Sequence, residues 1–491
     1  MEAISREVKE ESSIIKELDP LFNPTSVAVI GATDNREKWG YWTFCSIVES
    51  FKGRKYAVNI SGKDVLGYKS YRRITEIPGK VDLAVFVIPA QNVLPVMEDC
   101  VEKGVKAAIL ITAGFQETGE EGRKLQNEVV KIARKGGIRI VGPNCMGLWS
   151  ASSNLKAFML PLPVLDGPLG FVTQGGNVGV SILRMAYDRN IGFHKYVSCG
   201  ATSDLQIEDY IEYFGYDPKI KVVLAYIEGL NDGRRFMEKV RKIAKRKPII
   251  VLKSGRTEAA AKAIKSHVGA LAGSDKVYDS AFKEVGVIRV DTVEELLDVG
   301  VGFLTQPLPR GRNVAILTGG GSYGVICADA CEINGLNVVK LPDWVVEELN
   351  KILPPRWSHG NPVDPAGDRN LHYYLQIPDI LLRLGEVDSL IFMGFGGFYR
   401  FAFFMNVKID GVELPENYEE FSRFIEEYSI NLLLQWKRKY GKPVVTTTFH
   451  ESESKLKNGV YHYSSPERAV KVLAKLVEYK EFLEKESSKK L

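Results

Sequence analysis

The chain is sparing with cysteine, carries little net charge and has no long apolar run, and each shortage removes a class of function. Its 6 cysteines in 491 residues (45, 100, 145, 199, 327 and 331) are scattered without a CxxC pair or metal-ligand spacing. That pattern speaks against a disulfide framework or a structural metal site and for a reducing compartment. A cytoplasmic protein with no metal of its own is the expectation. No stretch approaches the roughly 20 apolar residues that a membrane span needs, and the charged start from Met1 to Asp19 lacks the apolar core of a signal peptide. A formal net charge of +4 is too small, for this size, to call for nucleic acid. Basic clusters such as Arg241-Lys-Ile-Ala-Lys-Arg-Lys read as solvated helix ends. The turn after the first apolar run, Gly31-Ala-Thr-Asp-Asn-Arg-Glu-Lys-Trp-Gly, lacks the GxGxxG spacing, which disfavours NAD, and a GxxxxGKS/T loop is missing too, which leaves no obvious nucleotide cradle.

What is present is enough apolar residue, 45%, to fill about three cores of roughly 150 residues each. A Ser/Asn/Pro-rich passage from Ser150 to Pro168 and a second, Thr305-Gln-Pro-Leu-Pro-Arg-Gly, divide the chain. The expected layout is an extension over residues 1–20, domains over 21–150, 165–303 and 311–480, and a charged tail over 481–491. In the first domain Val27-Ala-Val-Ile, Tyr56-Ala-Val-Asn-Ile, Leu83-Ala-Val-Phe-Val-Ile, Ala107-Ala-Ile-Leu-Ile and Arg139-Ile-Val are short apolar runs separated by amphipathic stretches. Such runs belong to a parallel sheet, and their alternation with helices reads as Rossmann-like.

One motif occurs twice. Thr173-Gln-Gly-Gly-Asn-Val-Gly-Val follows Gly170-Phe-Val, and Thr318-Gly-Gly-Gly-Ser-Tyr-Gly-Val follows Val314-Ala-Ile-Leu, with Thr, three glycines and Val at one constant offset. Each copy reads as strand, glycine turn, helix. Such a turn leaves backbone N–H groups unpaired at the positive end of a helix dipole, which suits an anion such as phosphate. The repeat goes on: Lys247-Pro-Ile-Ile-Val answers Lys442-Pro-Val-Val-Thr, and Val290-Asp-Thr-Val-Glu-Glu-Leu answers Tyr463-Ser-Ser-Pro-Glu-Arg-Ala. A duplicated α/β domain explains this most simply.

Seven motifs then follow in a specific order: Gly31-Ala-Thr, Val87-Ile-Pro-Ala, Ile111-Thr-Ala-Gly-Phe, Gly142-Pro-Asn-Cys-Met-Gly, the Thr173 turn, Tyr226-Ile-Glu-Gly and Ser266-His-Val-Gly-Ala-Leu-Ala-Gly. In that order they resemble the α subunit of nucleoside-diphosphate-forming acyl-CoA synthetases, relatives of succinyl-CoA synthetase. The resemblance is dense from Leu21 to Gly302 and looser beyond, where Gly360-Asn-Pro-Val-Asp is the clearest match. It implies an α/β chain of three domains, a Rossmann-like CoA-binding domain followed by two flavodoxin-like ones.

The resemblance also implies site residues. CoA is expected at the Gly31, Ala32 and Thr33 turn with the cations Arg36 and Lys38, at Asn59, at Ile88, Pro89 and Ala90, and at Thr112, Ala113 and Gly114. Pro143, Asn144 and Cys145 are expected near its thiol end, a buried core role being the alternative for Cys145. Phosphate is expected at Thr173, Gln174, Gly175, Gly176 and Asn177, and at Gly319, Gly320, Gly321 and Ser322, the two turns sharing one anion. His267 corresponds to a phosphorylated histidine and Glu228 to the carboxylate that orients it. Chemistry agrees, since a neutral imidazole is nucleophilic near pH 7 and small neighbours such as Ser266, Gly269, Ala270 and Gly273 permit close approach. The duplicated third domain is shorter where that histidine segment stands, as if the segment were added for function. His194, His359, His372, His450 and His462 match no such motif.

The expected reaction is reversible: acyl-CoA, ADP and phosphate exchange with carboxylic acid, CoA and ATP through an acyl phosphate and phosphohistidine. Three α/β domains use up the chain, so an ATP-grasp β subunit with the nucleotide and Mg²⁺ is expected on another polypeptide, in an α2β2-type assembly. Departures from the family pattern are Gly200-Ala201 in place of Gly-Asn, Ile60 in place of proline after Asn59, Thr318-Gly-Gly-Gly-Ser in place of Thr-Asn-Ala-Gly-Gly, and the segments Phe392 to Phe404 and Asn406 to Asn417, whose aromatics suit core packing, an acyl pocket or a partner surface. The alternative function is a regulatory subunit that binds CoA or acyl-CoA without turnover, but such a binder has no need of Ser266-His-Val-Gly. A CoA-domain acetyltransferase would require a further domain.

Overall fold

The computed structural model describes residues 13–260, 274–367, 371–396, 414–448 and 454–489. His267 and its small neighbours, His450, the first twelve residues, the last two, and residues 397–413 of the aromatic segment lie outside them. The chain forms two compact units, one of residues 1–187 and 192–291, the other of residues 188–191 and 292–491.

The first unit holds two sheets. One is six parallel strands, β1 (Ser26–Ile30), β2 (Arg54–Val58), β3 (Ser70–Tyr71), β4 (Leu83–Phe86), β5 (Ala107–Leu110) and β6 (Arg139–Val141), in the order β3-β2-β1-β4-β5-β6. Strands β1, β4 and β5 are buried along their whole length, which is why they read as unbroken apolar runs: a parallel sheet has no wet face to impose alternation. Chain order reverses between β1 and β4, so the turns after these strands part and leave a crevice at their carboxyl ends.

The other sheet of this unit has seven strands in the order β13-β12-β11-β9-β10-β7-β8. They are β7 (Gly147–Ser150), β8 (Leu155–Phe158), β9 (Leu169–Thr173), β10 (Phe193–Ser198), β11 (Val222–Ile227), β12 (Ile249–Lys253) and β13 (Val287–Val290). Five are parallel, and β7 and β8 form an antiparallel hairpin along β10. The passage from Ser150 to Pro168, read above as a divider, therefore contains β8. Four residues, Leu-Lys-Ala-Phe, are too few for a period to show, and β8 gains its burial from its hairpin partner and from the helix Trp39–Ser50.

The second unit is built on β14 (Asn313–Leu317), β15 (Asn337–Val338), β16 (Ser389–Gly396), β17 (Val444–Thr448) and β18 (His462–Tyr463), all parallel in the order β15-β14-β16-β17-β18. This is the spatial order of the parallel part of the seven-stranded sheet, in which the first strand lies between the second and third, as in flavodoxin-like folds. The sequence repeat is thus a repeat of topology. Both glycine turns leave that first strand and open the helices Gly176–Asp188 and Gly321–Ile333. The last glycine of each motif is set by packing: a Cβ on Gly179 would meet the Tyr196 hydroxyl at 2.2 Å, and one on Gly324 would meet Thr318 Cγ2 at 3.1 Å.

Two other motifs have local explanations in this unit. The Asn361 side chain, in Gly360-Asn-Pro-Val-Asp, accepts from Ile316 N and donates to the carbonyls of Val314 and Val339, each at 2.9 Å, and so pins the segment to β14. Phe392, which opens the aromatic segment, is 1% exposed in β16 and stacks on Tyr374 at 6.1 Å, the core-packing alternative for that residue.

Candidate active site

A cavity of about 1360 Å³ opens in the first unit at the carboxyl ends of both its sheets. Its position follows from topology, since strand order reverses at β1/β4 in one sheet and at β9/β11 in the other. Gly31, Thr33, Lys38, Asn59, Ile88, Pro89, Thr112, Ala113, Asn144 and Cys145 line it, with Gln174, Gly175, Gly176, Asn177 and Glu228. Ala32, Arg36, Ala90, Gly114, Pro143 and Thr173 stand outside its wall. Arg36 lies over the Tyr41 ring, 5.6 Å from its centroid, and its carbonyl accepts from Trp42 Nε1. Pro143 acts through its carbonyl, which accepts from Ala201 N at 3.0 Å.

The wall near β1 is made by close backbone approach. Gly31 has φ +95°, and a Cβ there would sit 2.3 Å from the Val87 carbonyl oxygen, so only glycine brings this turn against the Val87 loop. Asn59 Nδ2 donates to Ala32 O at 2.6 Å, and Thr112 Oγ1 donates to Ile88 O at 2.8 Å. Around these turns stand residues that sequence reasoning missed: the cations Arg72 and Arg73, and the exposed apolar side chain of Trp39. The arginines follow the two-residue β3, a basic pair with no motif around it.

The wall near β9 and β11 differs in character. Met146 and Met159, also missed, border it, and their backbones are joined by a 3.1 Å hydrogen bond. The Cys145 thiol is 4% exposed and donates to Leu110 O, and burial pushes it up to about 12. At neutral pH it is a packed thiol rather than a nucleophile. Glu228 is 5% exposed, and its Oε1 approaches the Gly175 turn, where a Cβ would lie 3.4 Å away. The Gln174 carboxamide accepts from the N–H groups of Glu228 and Gly229, at 2.6 and 3.1 Å, and donates to Gly229 O at 2.9 Å. Turn and carboxylate are therefore one rigid piece.

In the second unit Gly319, Gly320, Gly321 and Ser322 form the matching turn. Thr318 Oγ1 donates to Gly320 O at 2.9 Å, as Thr173 Oγ1 does to Gly175 O at 2.9 Å. Of the remaining histidines, His194 meets Ser152 and Asp166 at 2.9 and 3.0 Å, His359 meets Asn350, and His462 meets Thr446. Among the described residues no cluster of three or more His, Cys, Asp or Glu could hold a metal, and no helix is long and apolar enough to cross a membrane.

A CoA binding domain matches residues 25–150, a succinyl-CoA ligase-like flavodoxin domain residues 166–303 and a Ligase-CoA domain residues 314–403. The α subunit of ADP-forming acetate–CoA ligase I of Pyrococcus furiosus is 38% identical over 486 residues, 96% of this chain and 100% of that one. The chain belongs to the family of ADP-forming acetate–CoA ligase α subunits. A solved relative of this family, an acetyl-coenzyme A synthetase of Ca. Korarchaeum cryptofilum in complex with phosphate and ADP, matches with a TM-score of 0.82 at 32% identity, over 96% of this chain and 98% of that one. The ADP-forming acetate–CoA ligase of Methanocaldococcus jannaschii is 42% identical over 352 residues, 72% of this chain but 49% of that longer polypeptide. Family, α/β fold, CoA-binding domain and ligase class thus agree with the reading of the motifs.

Proposed function

We propose that the chain is the catalytic α subunit of an ADP-forming acyl-CoA ligase, with the phosphoryl group carried on His267. The observation that carries this is the continuous cavity running from the Gly31 turn, where Lys38 and Arg72 stand, to the Gly175 turn and Glu228. Lys38 and Arg72 at one end suit the phosphates of CoA, while Arg73 is held by Asp99 at 3.0 Å, and Trp39 offers an apolar face to its base. At the other end the turn's N–H groups receive inorganic phosphate.

Phosphate oxygen adds to the thioester carbonyl, the C–S bond breaks, and CoA leaves as thiolate, giving an acyl phosphate. His267 then attacks phosphorus and the carboxylate leaves. Glu228 accepts the other imidazole N–H, fixing the tautomer and stabilising the positive charge that develops. The phosphoryl group finally passes to ADP. The fixed amides matter because charge in phosphoryl transfer spreads over oxygens that they meet without reorganising. The Gly319–Ser322 turn of the second unit is assigned the same task of anion binding.

ADP and Mg²⁺ are assigned to a separate ATP-grasp β subunit, in an α2β2-type assembly in the cytoplasm. Two things support a partner: the P. furiosus relative is itself named a subunit, and the M. jannaschii relative carries about as much chain again beyond the matched part. Incubation with acetyl-CoA and radiolabelled phosphate tests the reading. The expected result is an acid-labile, base-stable label on the wild type that is absent from His267→Ala. Binding of CoA without label, with the partner present as well, would favour the regulatory binder.

A further inference from the structure

The end of β11 is held from behind by more than Gln174. Lys253, the last residue of β12, is 2% exposed, and its Nζ donates to the Glu228 carbonyl at 2.9 Å and to the Ser254 carbonyl. The ammonium lies 4.4 Å from the centroid of the Tyr278 ring, a cation–π contact. The Tyr278 hydroxyl in turn accepts from Leu230 N at 3.3 Å. The N–H groups of Glu228, Gly229 and Leu230 and the carbonyls of Glu228 and Gly229 thus all end on the side chains of Gln174, Lys253 and Tyr278. A turn that merely closes a strand has no need of such a clamp. A buried ammonium is costly where an apolar residue would pack, so its place behind a buried carboxylate calls for a purpose.

We infer that Lys253 is a positioning residue for phosphoryl transfer, clamping the Glu228–Leu230 turn so that the Glu228 side chain is held in the orientation that receives the His267 imidazole. This rests on the function proposed above. The charged form is the one that matters, because a charge-assisted bond to the Glu228 carbonyl is about twice as strong as a neutral one.

The surroundings set the pH at which the clamp weakens. Burial holds the Lys253 ammonium down at about 8; Arg289 on β13 pushes the same way, while Asp275, on the helix Asp275–Val285, and Glu228 oppose. Tyr278, on that same helix, is raised by its own burial and stays neutral. The forward rate is therefore expected to fall as pH rises through about 8.

The test is the single-turnover rate of phosphate labelling at saturating acetyl-CoA, measured against pH for the full chain and for Lys253→Met and Lys253→Arg. Lys253→Met is expected to lower the rate on the order of 10- to 100-fold while the acetyl-CoA concentration for half-maximal rate moves by less than about twofold. Lys253→Arg keeps its charge at every pH and is expected to retain most of the rate at pH 7 and to lose the alkaline fall. Wild-type rates in Lys253→Met, or an alkaline fall near pH 8 that survives in Lys253→Arg, would overturn the inference, and the arginine variant decides if the methionine one does not fold. Hydrogen exchange at the Glu228–Leu230 amides needs no turnover: about tenfold faster exchange in Lys253→Met, with β14 unchanged, is expected, and unchanged exchange overturns the clamp. A wild type that takes no label, with the partner present as well, would sink the proposed function, and exchange still decides the clamp.

Discussion

A methyl group on Gly31 would have to displace either its own backbone or the Val87 carbonyl. Holding alanine at φ +95° costs about 1–3 kcal/mol, and the 2.3 Å approach adds to it. Gly31→Ala is expected to lower the melting temperature and to weaken CoA binding as the Val87–Ala90 loop is pushed away, both readable by calorimetry; unchanged CoA affinity would remove this turn from the site. Gly31 was legible in the sequence because turn chemistry is local. Met146, Met159, Arg72 and Arg73 were not, because the elements that deliver them are strands of two to four residues with no period to read. Lys253 was hidden for another reason: at the end of Ile249-Ile-Val-Leu-Lys it looks like a strand running out to solvent, and only the fold shows it covered by Tyr278.

Between elements, the second unit depends on a buried ion pair. Asp298, on the helix Val293–Thr305, is 1% exposed and accepts from Arg468 Nε at 2.5 Å and Nη2 at 2.8 Å, from the helix Pro466–Ser488. Burial raises the Asp298 carboxyl above its ordinary 3.8 and Arg468 opposes the rise. Removing Arg468 leaves the carboxylate with Arg189, 3.6 Å away, as its remaining cation, so Arg468→Met is expected to cost about 1–3 kcal/mol near neutral pH. A carboxyl raised in the folded state is most costly when the unfolded chain is ionised, so the deficit should shrink as pH falls below the ordinary 3.8, where both states are protonated. Urea midpoints at a series of pH values check this; a deficit independent of pH would mean that Arg468 acts by packing. The glycine turns were legible at this scale because a strand, a turn and a helix make one local motif, and their duplication marked them. The pair Asp298 and Arg468 lies 170 residues apart and no local pattern joins them.

For the whole molecule, the order of sheets explains why one small set of motifs carries so much. Two topological reversals in one compact unit point their turns into one cavity, and the duplicated sheet supplies another turn of the same kind. On the proposed function, ADP is expected to bind only when a partner subunit is added: equilibrium dialysis of this chain alone should show no retention of ADP, and tight retention by the chain alone would place the nucleotide site here. The decisive measurement is peptide-level mass spectrometry of the chain after incubation with acetyl-CoA and phosphate, under alkaline conditions that preserve phosphohistidine. A phosphoryl group on the peptide that contains His267, and on no other, is the expected result; a phosphoryl group elsewhere, or an acyl group in its place, would contradict the mechanism.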